Sequence, residues 1–251
     1  MQRHAVRHTH VSGPQWIDTR FAATVIGMLA HQAAFLELLL RFEVIRFGDF
    51  TLKSGRRSPY FVNAGQLRTG AAIDALGSAY AAHARHHGLR CDLVFGPSYK
   101  GVPLAVATAS AMSRTGDDVG YSFDRKEIKD HGEGGRFVGT TPTSGMHVVV
   151  VDDVITSGQS IREAVELVRG AAPDVIASGV VVAVDRQERG RGERTTLAEL
   201  QDELGVAVHP LLSIRDVVDH LHGREVGGRV LVDDVRAAAI REHLATHGAS
   251  R

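Results

Sequence analysis

The chain has 251 residues, 43% of them hydrophobic, with 29 Lys+Arg balanced by 29 Asp+Glu. That length allows one large domain or two small ones around a genuine core, and zero formal net charge argues against a bulk nucleic-acid coat or a binder of strongly anionic membranes. The single cysteine, Cys91, rules out an intramolecular disulfide and a thiolate metal cluster, which fits a reducing, cytoplasmic setting. Only four of the 29 basic residues are lysines: Lys53, Lys100, Lys126 and Lys129. Three of them lie beside Gly-rich stretches rather than on helical surfaces.

Residues 1–18 are polar and His-rich and read as a mobile tail, leaving one domain over 19–251. The run from Ala22 to Leu40 contains His31, Gln32 and Glu37, so it predicts an amphipathic helix over 20–44 and not a membrane span. The segments VIRFGDFTLKSG and SPYFVNAG predict short strands split by a Ser/Gly/Arg turn. With the preceding helix they form a small N-terminal hood over about 20–65. Helices are predicted at 69–87, 102–113, 160–169, 195–204, 213–222 and 231–247. Strands are predicted at 92–95, 119–123, 146–151 and 175–184. Ser160 and Glu163 have capping-box spacing, and His83, His86 and His87 sit where cations offset a helix dipole. Apolar strands alternating with helices imply an α/β fold with a central parallel sheet covered on both sides. Ligands then bind outside the carboxyl ends of the strands, where the loops at 96–101, 124–139, 152–160 and 185–190 converge.

The strongest chemical signal runs from His147 to Ser160, HVVVVDDVITSGQS. Four valines make a buried strand. Asp152 and Asp153 at its end are costly to desolvate and should face a polar ligand. Thr156, Ser157 and Gly158 then offer hydroxyls and backbone N–H groups at a helix entry, an anion cradle suited to a phosphate monoester. Acids beside such a cradle suit a ribose phosphate with Mg²⁺. The Walker A spacing is absent. The loop GPSYKG presents Tyr99 and Lys100 between glycines, which permit close backbone approach to a ligand, and Lys100 is a compact charge for a pyrophosphate. The stretch DRKEIKDHGEGG places Arg125, Lys126, Lys129 and His131 in a segment too Gly-rich and charged for a core. It reads as a mobile lid over about 124–139.

Here the chain resembles the type I phosphoribosyltransferases, whose phosphoribosyl-pyrophosphate (PRPP) motif is an apolar strand, two acids and a Thr/Ser/Gly loop. FTLKSGRRSPYFVNAG, FGPSYKGVPLA, DRKEIKDHGEGG and VDRQERG narrow the resemblance to the orotate phosphoribosyltransferases, over about residues 35–225. The resemblance implies the type I phosphoribosyltransferase fold with its hood. It also implies transfer of a phosphoribosyl group from PRPP to orotate, giving orotidine 5′-monophosphate and pyrophosphate with Mg²⁺, in pyrimidine (UMP) biosynthesis. It assigns PRPP to Lys53, Tyr99, Lys100, Arg125, Lys126, Lys129, His131, Asp152, Asp153 and the loop Val154, Ile155, Thr156, Ser157, Gly158, Gln159, Ser160. Orotate falls to Phe61, Val62, Thr156 and Arg186, and the metal to Asp152 and Asp153 through water. Lys129 or His131 would protonate the leaving group. The lid would act on the neighbouring subunit's site in a homodimer, with Arg125, Lys129 and His131 in trans and Lys126 in cis. Neither nucleic acid nor membrane is an expected partner. Two alternatives stay open: a phosphoribosyltransferase for another base, and a PRPP-sensing transcriptional regulator.

Overall fold

The computed structural model describes residues 27–52, 55–125, 135–190 and 192–249. Lys53, Lys126, Lys129, His131 and the expected tail lie outside the described residues. Helix α1 (Ala30–Arg41) opens the described chain, followed by an antiparallel ribbon of β1 (Ile45–Thr51) and β2 (Arg57–Val62). The helix predicted to reach 44 ends at Arg41. Glu43 takes a φ of 51° and the Val44 amide donates to the Leu39 carbonyl at 2.8 Å, closing the last turn without the usual glycine.

Six further strands form one sheet. In chain order they are β3 (Leu93–Phe95), β4 (Gly120–Asp124), β5 (Phe137–Gly139), β6 (His147–Ile155), β7 (Ile176–Asp185) and β8 (Val208–Ser213), and they lie side by side as β5-β4-β3-β6-β7-β8. All neighbours are parallel except β5, which runs antiparallel to β4 at the edge. The period-2 alternation of a strand explains the valine run. Val149 and Val151 enter one apolar cluster, with α2 (Gly70–His86) and α3 (Gly101–Ser113), while Val148 and Val150 enter a second, with α4 (Gln159–Arg169) and α5 (Thr196–Leu204). Both faces are therefore buried, as a parallel sheet requires.

Neither β5, whose residues 137–139 were expected in the lid and instead pair with β4, nor β8 was expected. Pro210 sits inside β8, paired with Val182 of β7, and proline is tolerated there because β8 is the sheet's edge. After α6 (Ile214–Leu221), a small hairpin of β9 (Glu225–Val226) and β10 (Arg229–Val230) turns on Gly227 and Gly228, both at positive φ. It shortens the predicted last helix to α7 (Asp234–His247), which Asp233 caps by accepting from the Arg236 amide at 2.8 Å. Among the described residues no helix is long and apolar enough to cross a membrane.

Candidate active site

The chain runs outward from β3 to β4 and then returns to place β6 on the other side of β3. The loops after β3 and β6 diverge at this switch point and leave a crevice. A cavity of about 330 Å³ lies there, lined by Pro97, Ser98, Tyr99 and Lys100 after β3, and by Asp152, Asp153, Val154, Thr156 and Ser160 from β6 and its loop. Val62, Asn63 and Ala64 after the ribbon and Arg186 after β7 complete it.

The two acids are almost completely buried, Asp152 at 6% and Asp153 at 8% exposure. Each is held by a side chain of its own. Ser160 Oγ donates to Asp152 Oδ2 at 2.5 Å, and Asp152 Oδ1 also accepts the Asp153 amide at 2.9 Å. Lys100 Nζ donates to Asp153 Oδ2 at 2.5 Å. The Tyr80 hydroxyl of α2 donates to the Asp152 carbonyl at 2.8 Å, fixing the strand end from below. Burial pushes the Asp152 carboxyl above its usual range. The Ser160 bond opposes that, while the neighbouring Asp153 charge adds to it.

The helix entry differs from the capping-box expectation. Gly158, at φ 71°, is the N-cap of α4 and carries no side-chain bond to it. A side chain there would be strained and would meet Leu200 of α5 at 2.8 Å. Ser160 is thereby released from capping to hold Asp152. The cradle loop is braced from behind: Thr196 Oγ1 donates to the Thr156 carbonyl at 3.0 Å and Arg162 Nη1 to the Ser157 carbonyl at 2.8 Å. Thr156, Ser157, Gln159 and Ser160 remain exposed. Ile155 instead points into the α4–α5 core, 4% exposed.

The glycines of GPSYKG serve the loop more than any ligand. A Cβ on Gly96 would lie 2.1 Å from the Gly101 carbonyl oxygen, so the two ends of the loop touch each other. Ser98 N donates to Asp124 Oδ1 at 2.5 Å, tying this loop to the end of β4, where the Arg125 amide donates to the Arg136 carbonyl at 2.8 Å. Arg125 itself does not line the cavity.

Phe61 and Val62 were both expected at the base. Adjacent strand residues face opposite ways, and only Val62 lines the cavity. Phe61 instead stacks on Phe50, centroids 5.6 Å apart, with Arg46 over both rings. A wider cleft of about 620 Å³ between β1 and the β9–β10 hairpin holds Arg46 and Phe50 but none of the residues that the sequence pointed to.

Sequence reading missed the surroundings of Arg186. Glu188 Oε1 accepts Arg186 Nε at 3.1 Å and Nη2 at 2.7 Å, and Glu188 Oε2 pairs with Arg56 just before the second ribbon strand. Burial pushes the Glu188 carboxyl up, but Arg186, Arg56 and the bonds from His243 and Arg186 outweigh it and hold the group below its usual range. The signal available was the short Arg-x-Glu spacing after a buried strand.

The described residues contain no group of three or more His, Cys, Asp or Glu side chains able to cage a metal. Two carboxylates beside an open polar cavity suit Mg²⁺ nonetheless, because that ion keeps several waters and is held by one or two carboxylates plus substrate phosphates.

Buried paired acids and a Thr-Ser-Gly helix entry at the switch point of a parallel sheet define a phosphoribosyltransferase, and residues 64–206 match the family described as the phosphoribosyl transferase domain. The orotate phosphoribosyltransferase of Methylococcus capsulatus is 45% identical over 88% of this chain and 99% of its own length. That of Photorhabdus laumondii is 46% identical over 78% and 91%. The crystal structure of orotate phosphoribosyltransferase from Francisella tularensis superposes with a TM-score of 0.73 at 30% identity, covering 86% of this chain and 99% of that one. The chain belongs to the orotate phosphoribosyltransferase family.

Proposed function

We propose that the chain transfers the phosphoribosyl group of PRPP to orotate, giving orotidine 5′-monophosphate and pyrophosphate, with Mg²⁺, in the cytoplasmic synthesis of pyrimidine nucleotides. The observation that carries this reading is the pair of buried acids, each bonded to a different cavity-lining side chain, between the Thr156–Ser160 turn and a lysine. Orotate N1 displaces pyrophosphate at C1 of the ribose through an oxocarbenium-like state. No protein nucleophile is needed, and the protein acts by positioning and electrostatics.

Asp152 and Asp153 hold the ribose hydroxyls and offset the positive charge that develops at C1. The turn Thr156–Ser160 receives the 5′-phosphate. Tyr99 and Lys100 face the pyrophosphate, and Lys53, Arg125, Lys126, Lys129 and His131 complete its neutralisation, Lys129 or His131 giving the proton to the leaving group. Arg186 and the Val62 strand end receive the base. Asp152 and Asp153 would hold Mg²⁺ through water, and the ion would supply positive charge to offset the leaving pyrophosphate. The active form is a homodimer in which lid residues serve the neighbouring site.

The test is a base-exchange assay with PRPP and Mg²⁺ against orotate, uracil, hypoxanthine and adenine, each followed by pyrophosphate release. Release with orotate alone is expected. Equal release with a purine, or none with any base, contradicts the reading.

A further inference from the structure

The guanidinium of Arg186 does not reach the cavity as a free arm. Its Nε and Nη2 are both committed to one oxygen of Glu188. Its carbon lies 5.2 Å from the centre of the Tyr60 ring, a cation–π contact. Tyr60 Oη is 3.3 Å from Glu188 Oε1 and 3.4 Å from the Arg186 carbonyl, so its single proton is shared between two acceptors. The other carboxylate oxygen of Glu188 takes Arg56, and His243 of α7 reaches Oε1 at 3.4 Å. One carboxylate therefore joins the ribbon, the loop after β7 and the last helix. The Arg186 and Glu188 side chains are 11% and 15% exposed, so this network is shielded from solvent screening.

Two consequences follow from elementary chemistry. A free arginine side chain loses rotamer entropy when it is fixed on a ligand. The Glu188 clasp imposes that loss during folding, before any base arrives. The charges also do not balance, because two guanidiniums face one carboxylate. Burial keeps His243 below its usual range and adds no stable positive charge. Of these charged groups Arg186 alone lines the cavity, where its guanidinium can pair with an anionic ring and not with an uncharged one.

We infer that Glu188 is a positioning residue that sets the Arg186 guanidinium for a carboxylate-bearing base and couples it to the ribbon through Arg56. The inference rests on the reading of Arg186 as the residue that receives orotate. Glu188 touches no substrate and acts only through Arg186.

The experiment measures KM for orotate and for PRPP in the full chain and in Glu188→Gln, Glu188→Asp, Arg186→Ala and the Arg186→Ala/Glu188→Gln double variant. Glu188→Asp keeps the charge and withdraws the carboxylate by one methylene, so it separates placement from charge. Both Glu188 variants should raise the orotate KM about tenfold or more, the scale of one lost charge-assisted contact, while the PRPP KM stays within about twofold. In the Arg186→Ala background, Glu188→Gln should add no further rise. A parallel loss for both substrates, or a full additive effect in the Arg186→Ala background, assigns Glu188 a purely structural role and overturns the inference. An orotate KM that Arg186→Ala leaves unchanged overturns the reading of Arg186 itself, and the inference with it.

Discussion

Ser160 Oγ donates to Asp152 Oδ2 at 2.5 Å, across eight residues of chain. The last residue of the Thr156–Ser160 turn thus steadies a carboxylate that burial has driven above its usual range. Replacing Ser160 by Ala removes a hydrogen bond to a charged group, worth about 1.5–3 kcal/mol, so kcat/KM for PRPP should fall by about 10- to 100-fold. The pH profile carries the sign. Asp152 works ionised, and activity is lost as pH falls through its pKa. Removing the donor raises that pKa further and moves the acid limb to higher pH. An acid limb in the same place for wild type and Ser160→Ala would contradict the assignment.

Lys100 lies at the opposite end of the acid pair, bonded to Asp153 Oδ2 at 2.5 Å with 75% of its side chain exposed. In the proposed reaction it serves two partners, the acid and an incoming pyrophosphate. Lys100→Ala should lower kcat by about 10²-fold or more, as for loss of one preorganised donor. Lys100→Arg should not restore it, because a planar fork cannot replace a compact ammonium between two anions. Steady-state kinetics decide the point, and an arginine variant close to wild type would show that charge alone suffices.

Gly96 and Gly101 hold the loop shut by touching. A Cβ at Gly96 would meet backbone at 2.1 Å, which no flexible side chain can relieve. Gly96→Ala should cost about 1–3 kcal/mol of stability or more, read as a lower denaturant midpoint. PRPP binding should weaken as well, since Lys100 rides on this loop. A variant with a wild-type midpoint would mean that the loop ends separate freely.

The five histidines His31, His83, His86, His87 and His209 form a chain of ring contacts between α1, α2 and β8. His31 Nε2 lies 2.9 Å from His83 Nδ1. Burial, then His87, His31 and the other rings push His83 down to about 3. It is therefore a neutral core group and not the dipole-offsetting cation that its place near a helix end implies. A histidine with a depressed folded pKa contributes stability above its unfolded value near 6.5 that is lost as pH falls toward 3. His83 alone gives a slope of up to about 1.4 kcal/mol per pH unit over that window. Unfolding at pH 7, 6, 5 and 4 should show this slope, and His83→Leu should flatten it. An equal slope in both proteins would refute the assignment.

What could be read from sequence was what depends on local pattern. Four consecutive valines ending in two acids require a strand buried on both faces with its carboxyl end at a ligand, whatever surrounds them. Pairings across the fold were not readable in this way. Ser160 looks like a cap until Gly158 takes that position and Asp152 arrives beside it. Phe61 and Val62 look equivalent until the ribbon's pairing register turns one outward. Strand β8 carries Pro210, which is tolerated only because the strand lies at the sheet's edge. Glu188, two residues from Arg186, shows its purpose only when Arg56 and Tyr60 close over it. Of the four lysines, Lys100 is the one within the described residues, and it stands at the acid pair.

The most direct test of the account is orotate consumption, followed by loss of its absorbance with PRPP and Mg²⁺, in wild type and in Asp152→Asn/Asp153→Asn. PRPP-dependent turnover by wild type is expected, with a loss of about 10³-fold or more in the double variant, whose neutral amides keep the shape of the site but not its charge. Turnover that survives the double substitution, or a wild type that leaves orotate untouched, would contradict it.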